Sequence, residues 1–147
     1  MADIRHRVQI AASPEQVYQE LTTKDGFSRW WTRDVAGDDG GMLEFFFGSP
    51  EPAATFEVAE QAPCSHVVLR CVQGPGEWVG TDLNFRLSPA GDDGTVVLFS
   101  HEGWREPVEL MYHCSTKWAY FLLGLKSGLE GRAYTPYPDD LKISTWG

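Results

Sequence analysis

The fold of this chain is decided by residues 107–129, which read PVELMYHCSTKWAYFLLGLKSGL. Apolar side chains recur there every three or four positions, which predicts an amphipathic helix from about 109 to 128. Its polar residues, among them His113 and Lys117, fall on the opposite face. Gly131 and the prolines after it predict that the helix ends and that residues 131–147 form a C-terminal tail. The apolar stripe consists of Met111, Cys114, Trp118, Phe121, Leu122, Leu125 and Leu129.

Ahead of this helix the apolar pattern favours short strands and two short helices. Ser13-Pro14 predicts a helix N-terminus, and Asp25-Gly26 interrupts the chain before a second helical turn that ends in Trp30 and Trp31. Residues 35–41 are rich in Gly and Asp and predict a loop. Strand-like runs, most of them separated by glycine or proline turns, cover residues 4–10, 42–47, 55–59, 67–72, 81–87 and 96–101.

This order of elements predicts an α+β fold. The last helix is the only element long enough to cover the apolar face of a curved antiparallel sheet, so the sheet is expected to wrap around it. Such packing leaves a gap between sheet and helix, and a gap lined by aromatic side chains is a ligand cavity by default. With 8 Phe, 6 Trp and 5 Tyr the chain is 13% aromatic, which fits that interpretation or an over-filled core.

The residues predicted to line the cavity come from several elements. Large aromatic side chains most often only pack a core, so the same pattern also fits a core without a cavity. The candidates from the N-terminal half of the chain and the sheet are His6, Trp30, Trp31, Phe45, Phe56, Phe85, Phe99, His101 and Trp104. The candidates from the long helix are Met111, Cys114, Trp118, Phe121 and Leu122. His6, Phe85, Phe99 and Trp118 are expected to converge on one interior space.

The polar candidates are few. His6 lies on the apolar face of the first strand, where it either meets a ligand or is satisfied by an interior partner. His101 and Glu102 are neighbours on a strand and point to opposite faces, so only one of them can reach the interior. His101 is the better candidate if it shares the face of Phe99. No recognisable catalytic motif is present, and no residue is assigned a catalytic role.

Composition excludes several classes of partner. The 147 residues fit one domain, and 12 Lys+Arg against 21 Asp+Glu give a net charge of −9, which argues against nucleic acid. The N-terminus lacks the apolar run of a signal peptide, and no stretch is long enough to span a membrane. Three cysteines without a CxxC motif predict neither disulfides nor a structural zinc site, as expected in a reducing cytoplasm. No metal and no cofactor are predicted.

Four phrases together resemble a known superfamily: the segment from Ser13 to Thr22, the pair Trp30-Trp31, the FSHEGW of residues 99–104, and the spacing Trp118-x-x-Phe121-Leu122-x-x-Leu125. The chain resembles the START-like, birch-pollen-allergen-like superfamily (SRPBCC) with its helix-grip fold. Within it, the sequence is most similar to homologues of the activator of the heat-shock protein 90 ATPase. The resemblance implies a hydrophobic cavity whose uses differ widely between members, and for this branch a link to the stress response.

Three functions follow as hypotheses. The first is non-catalytic binding of a small hydrophobic or amphipathic ligand, lipid-like or polyketide-like, by a cytoplasmic monomer or weak dimer. The second is a cavity enzyme of the cyclase type, which would need His6 or His101 as an acid or base. The third is a chaperone-interacting domain. Two departures weigh against the third: Lys117-Trp118 stands where the family commonly has Gly-Trp, and 147 residues leave no room for the second domain of eukaryotic-type activators.

Overall fold

The computed structural model describes residues 2–147, and its elements follow the predicted order. The helices are α1 (Pro14–Glu20), α2 (Lys24–Trp30) and α3 (Glu109–Leu129). The strands are β1 (Ala2–Ile10), β2 (Asp34–Gly37), β3 (Met42–Phe46), β4 (Ala54–Ala62), β5 (His66–Gln73), β6 (Asp82–Pro89) and β7 (Thr95–Trp104), with a short 3₁₀ turn at Gly91–Asp93. Among residues 2–147, no helix combines the length and the apolar character that crossing a membrane requires.

The seven strands form one antiparallel sheet in the order β1-β7-β6-β5-β4-β3-β2. The buried face of this sheet holds α3, whose Trp118 ring lies 4.8 Å from that of Phe99 on β7. The curved sheet gripping a long C-terminal helix confirms the predicted α+β helix-grip fold. The physical reason is the one expected, since α3 is the element long enough to cover the apolar face.

Two local predictions were wrong. Residues 35–41 were predicted to be a loop, but the first three of them belong to β2, which pairs Val35 with Phe45 of β3, and only residues 38–41 form the loop. Backbone pairing with a neighbour forms this strand, although its own sequence carries little alternation. Asp25-Gly26 was predicted to precede the second helical turn, but both residues lie inside α2, where the amide of Gly26 donates to the side chain of Thr23.

The start of α1 is confirmed in detail. Ser13 is the N-cap, and its Oγ accepts from the amide of Gln16 at 3.2 Å, while the Gln16 side chain accepts from the amide of Ser13 at 3.0 Å. This reciprocal pair is a capping box, which satisfies two backbone donors that the helix itself leaves unpaired.

We expect Ser13→Ala to lower the free energy of unfolding by about 1 kcal/mol, because the substitution removes the acceptor of the cap. Urea unfolding followed by circular dichroism measures the change. Ser28→Ala is the matched control: Ser28 also hydrogen-bonds the backbone of a short helix, but inside α2 and onto a carbonyl. Its loss should change the stability by less than about 0.5 kcal/mol, and equal losses for the two variants would contradict the role of the cap.

The C-terminal tail, residues 131–147, packs across the edge of the sheet and against α3. Tyr137 forms a parallel bridge with Thr32, its amide donating to the carbonyl of Trp31 at 2.9 Å and its carbonyl accepting from the amide of Arg33 at 3.2 Å. Further along, Ser144 meets His113 of α3. The polar face of α3 is therefore partly covered by the tail, an arrangement that the helical pattern alone does not reveal.

Candidate functional site

A pocket of about 530 Å³ lies between α3, the tail and the end of the sheet beside the β5–β6 loop. It is open to solvent on the side of the tail, where Trp146 remains 56% exposed. The residues around it are Trp31, Phe47, Ala53, Ala54, Pro75, Trp78, Leu110, His113, Cys114, Lys117, Trp118, Phe121, Tyr137, Pro138, Asp140, Lys142, Trp146 and Gly147. We call this space the tail pocket.

Seven Trp, Phe and Tyr side chains line the tail pocket. Trp118 is the central ring, with its centroid 4.9 Å from that of Trp31 and 6.4 Å from that of Trp78, with which it is stacked. The rings of Phe47 and Tyr137 close the far end of the pocket, with their centroids 5.2 Å apart. Such rings offer large, rigid apolar surface at little cost in conformational entropy, which suits the binding of a flat apolar molecule.

Trp78 adds a polar group to this wall. Its Nε1 is buried, and among residues 2–147 it meets no oxygen or nitrogen acceptor; the neighbouring polar group is the thiol of Cys114. A buried donor without an acceptor costs free energy, because the group has given up its hydrogen bonds to water. This nitrogen is enclosed by protein and is not open to the space of the tail pocket.

Lys117 and Asp140 form an ion pair at the polar corner of the tail pocket. Lys117 Nζ lies 2.5 Å from Asp140 Oδ2 and donates to the carbonyl of Leu141 at 2.6 Å. The two charged side chains are only 15% and 10% exposed. The ammonium group also lies 5.4 Å from the centre of the Phe121 ring, within the range of a cation–π interaction.

His113 lies beside this pair, where its protonated form is disfavoured. Burial, together with the positive charge of Lys117, lowers the pKa of His113 below its ordinary value. Its Nδ1 is hydrogen-bonded to Ser144 Oγ at 2.6 Å, which ties the end of the tail to α3. Lys117 and the exposed Lys142 are the two lysines around the pocket.

His101 stands behind the pocket and is fully enclosed, with none of its surface exposed. Trp118 Nε1 donates to its Nδ1 at 3.2 Å, so its Nε2 carries the proton and donates to Thr81 Oγ1 at 2.7 Å. The Thr81 hydroxyl donates in turn to the carbonyl of Trp78 at 2.6 Å. Burial lowers the pKa of His101 to about 3, so the ring is neutral at pH 7 and its hydrogen bonds hold Trp118 directly and Trp78 through Thr81.

Four of the fourteen predicted site residues line the tail pocket: Trp31, Cys114, Trp118 and Phe121. His6 is half-buried at the opposite side of α3, where its Nε2 lies 3.0 Å from the carbonyl of Ser115. The remaining nine lie in the core around the pocket and do not line it: Trp30, Phe45, Phe56, Phe85, Phe99, His101, Trp104, Met111 and Leu122.

His6, Phe85, Phe99 and Trp118 were expected to converge on one interior space, and in the structure their rings are linked through Phe99. Phe99 is the shared neighbour, with ring centroids 6.4 Å from His6, 5.2 Å from Phe85 and 4.8 Å from Trp118. These rings pack against one another, whereas the tail pocket begins on the other side of Trp118. The pocket of the structure therefore lies at the end of the sheet, whereas the sequence predicted a cavity at its centre.

Sequence reasoning missed the pocket residues that come from loops and the tail, chiefly Phe47, Trp78, Tyr137 and Asp140, and it also missed Lys117 of α3. One signal was available: Trp78 stands in a glycine- and proline-rich loop, and Tyr134, Tyr137 and Trp146 stand in a tail that otherwise lacks apolar periodicity. Aromatic residues in such segments need a surface to pack on. Lys117 was placed on the polar face of the helix, and only the folded tail turns that face into a pocket wall.

The cysteines and the charged clusters offer no metal site. Burial raises the pKa of the Cys114 thiol to about 11, so it stays protonated at neutral pH and serves as a small apolar part of the wall. Within residues 2–147, no group of three or more His, Cys, Asp and Glu side chains is arranged to hold a metal ion.

Fold and pocket together define a helix-grip domain with an aromatic pocket against its last helix. The sequence model of the family "Activator of Hsp90 ATPase homolog 1-like protein" matches residues 11–130. The chain belongs to this family, which confirms the resemblance on which the sequence analysis relied. The match ends just before the tail. A comparison with curated protein sequences finds no significant match.

Solved structures agree with this assignment. The Aha1 dimer from Colwellia psychrerythraea is 40% identical, with a TM-score of 0.80 over 89% of this chain and 98% of the other. A protein from Staphylococcus saprophyticus is 15% identical, with a TM-score of 0.74 over 92% and 97% of the two chains. CalU16 from Micromonospora echinospora is 21% identical, with a TM-score of 0.67 over 92% and 76%. The last two comparisons concern the fold alone.

Proposed function

We propose that this chain is a single cytoplasmic domain that binds a small hydrophobic or amphipathic molecule in the tail pocket without transforming it. The observation that carries the proposal is the pocket itself, about 530 Å³ with tryptophan, phenylalanine and tyrosine rings as its walls. This volume lies within the range of roughly 300–1,000 Å³ that small-molecule sites occupy.

The expected affinity follows from the apolar area. Burying a few hundred Å² at about 25 cal/mol per Å², less the cost of association, corresponds to a dissociation constant in the micromolar range. His6 and His101, the groups considered for chemistry, are each held by hydrogen bonds within the protein, so the proposal assigns them no acid–base role.

The neutral fluorescent probe N-phenyl-1-naphthylamine tests the proposal. We expect it to bind with micromolar affinity and to quench the tryptophans of the pocket wall by energy transfer. Leu110→Ala should weaken binding about fivefold, because Leu110 lines the pocket and loses roughly 1 kcal/mol of buried apolar contact.

Leu123→Ala is the matched control, since it makes the same chemical change on the same helix at a side chain that is 55% exposed. It should leave the affinity unchanged. If the probe does not bind, or if the two variants weaken it equally, the tail pocket is not the binding site.

A second function is supported by a different observation, the 40% identity to a protein described as Aha1. By that likeness, the chain would act on a heat-shock protein 90 chaperone, and it would form a weak dimer as the Colwellia protein forms a dimer. The ATPase rate of the chaperone, measured with increasing amounts of this protein, decides the point. A saturable rise in the ATPase rate, together with no binding of any apolar probe, would reject ligand binding as the function and support chaperone regulation.

A further inference from the structure

We propose that the ligand of the tail pocket is an aromatic carboxylic acid whose carboxylate replaces Asp140 on Lys117. This inference rests on the proposed function and names the class of ligand that the same pocket takes. Three features support it: the position of Lys117 in the pocket wall, the origin of its present partner in the tail, and the aromatic character of the surrounding surface.

The position and charge of Lys117 suit the binding of a carboxylate. It projects from α3 into the pocket, its side chain is only 15% exposed, and its present charged partner is a carboxylate at 2.5 Å. An ammonium group in a largely apolar wall needs such a partner, because an unpaired buried charge is costly. A ligand that brings its own carboxylate supplies the same charge and the same hydrogen bond.

The present partner of Lys117 sits on the more weakly held part of the tail. The segment up to Tyr137 is tied to the sheet by backbone hydrogen bonds. Beyond it, the tail is held mainly by polar contacts such as Arg33 with Asp139 and His113 with Ser144, while Leu141 stays 62% exposed. Exchanging Asp140 for a ligand carboxylate therefore sacrifices little buried apolar surface.

Charge decides how a carboxylate ligand would enter. A ligand carboxylate added beside Asp140 would meet a like charge, so it must displace Asp140 rather than join it. A neutral ligand carries no charge that could pair with Lys117, so it would leave Asp140 in place. The surrounding rings of Trp31, Trp78 and Trp118 would hold the aromatic body of the ligand while Lys117 holds its charged end.

A matched pair of probes tests this inference: anthracene-2-carboxylate and its neutral amide, anthracene-2-carboxamide. Asp140→Asn removes the internal competitor, and we expect it to tighten carboxylate binding about tenfold and to change amide binding less than twofold. Lys117→Met keeps the length of the side chain without its charge. It should weaken carboxylate binding at least tenfold and leave amide binding within about threefold.

Asp139→Asn is the control, because it changes the neighbouring tail carboxylate, which pairs with Arg33 outside the pocket. It should leave both probes unaffected. If Asp139→Asn and Asp140→Asn tighten both probes alike, Asp140 is only a tether of the tail and the inference fails. Equal binding of the two probes to the natural protein, insensitive to Lys117→Met, overturns the inference but leaves the proposed function standing. Binding of neither probe overturns both.

Discussion

Trp118→Ala should lower the free energy of unfolding by about 3–5 kcal/mol, because it removes a large side chain from a tightly packed interior. The Trp118 ring is 3% exposed and contacts Trp31 and Phe99 at centroid distances of 4.9 and 4.8 Å. The same change removes the central wall of the tail pocket, so binding of a neutral aromatic probe should weaken more than tenfold. Urea unfolding and probe titration measure the two effects.

Trp118→Phe separates the two effects if the alanine variant unfolds. Phenylalanine retains most of the apolar ring but loses Nε1, the donor to His101. We expect intermediate stability and a loss of probe affinity smaller than that of the alanine variant. Substitution of His101 should affect binding less than loss of Trp118, since His101 lies behind the wall and does not line the pocket. The reverse order would mean that His101 contacts the ligand.

Acid should destabilise the protein through His101. Its pKa is about 3 in the folded protein and near 6.5 when exposed, so the unfolded chain binds the proton more readily. The stability contributed by the neutral, buried ring is complete above pH 6.5 and is lost as the pH falls from 6.5 toward 3. Between pH 7 and pH 4 this single group should cost about 3 kcal/mol, at 1.36 kcal/mol for each pH unit below the unfolded pKa.

His101→Asn isolates this effect from the other titrating groups. The Asn side-chain oxygen can stand where Nδ1 accepts from Trp118, but it does not titrate. The variant should be less stable than the natural protein at pH 7, because the bond to Thr81 is lost, yet its stability should fall less between pH 7 and pH 4. Parallel pH profiles for the two proteins would show that His101 does not govern acid sensitivity.

The elements that depend on local pattern could be predicted from the sequence. The stripe from Met111 to Leu125 predicted α3, and Ser13-Pro14 predicted the start of α1, because helical periodicity and capping are properties of neighbouring residues. The length of α3 against a set of short strands was enough to predict a sheet wrapped around it. For β7 the sequence favoured His101 over Glu102 only on the condition that His101 shares the face of Phe99, and the structure buries both His101 and Phe99.

Which elements and side chains contact one another was decided by the tertiary structure. β2 forms only because β3 offers it a partner, and Lys117 becomes a pocket residue only because the tail crosses α3 and brings Asp140 to it. Trp78 reaches Trp118 through a loop whose path no periodicity encodes. Sequence pattern thus determined which side chains avoid water, since that depends on each element alone. The position of the pocket was decided by contacts between residues far apart in the chain, whose pairing a single sequence does not reveal.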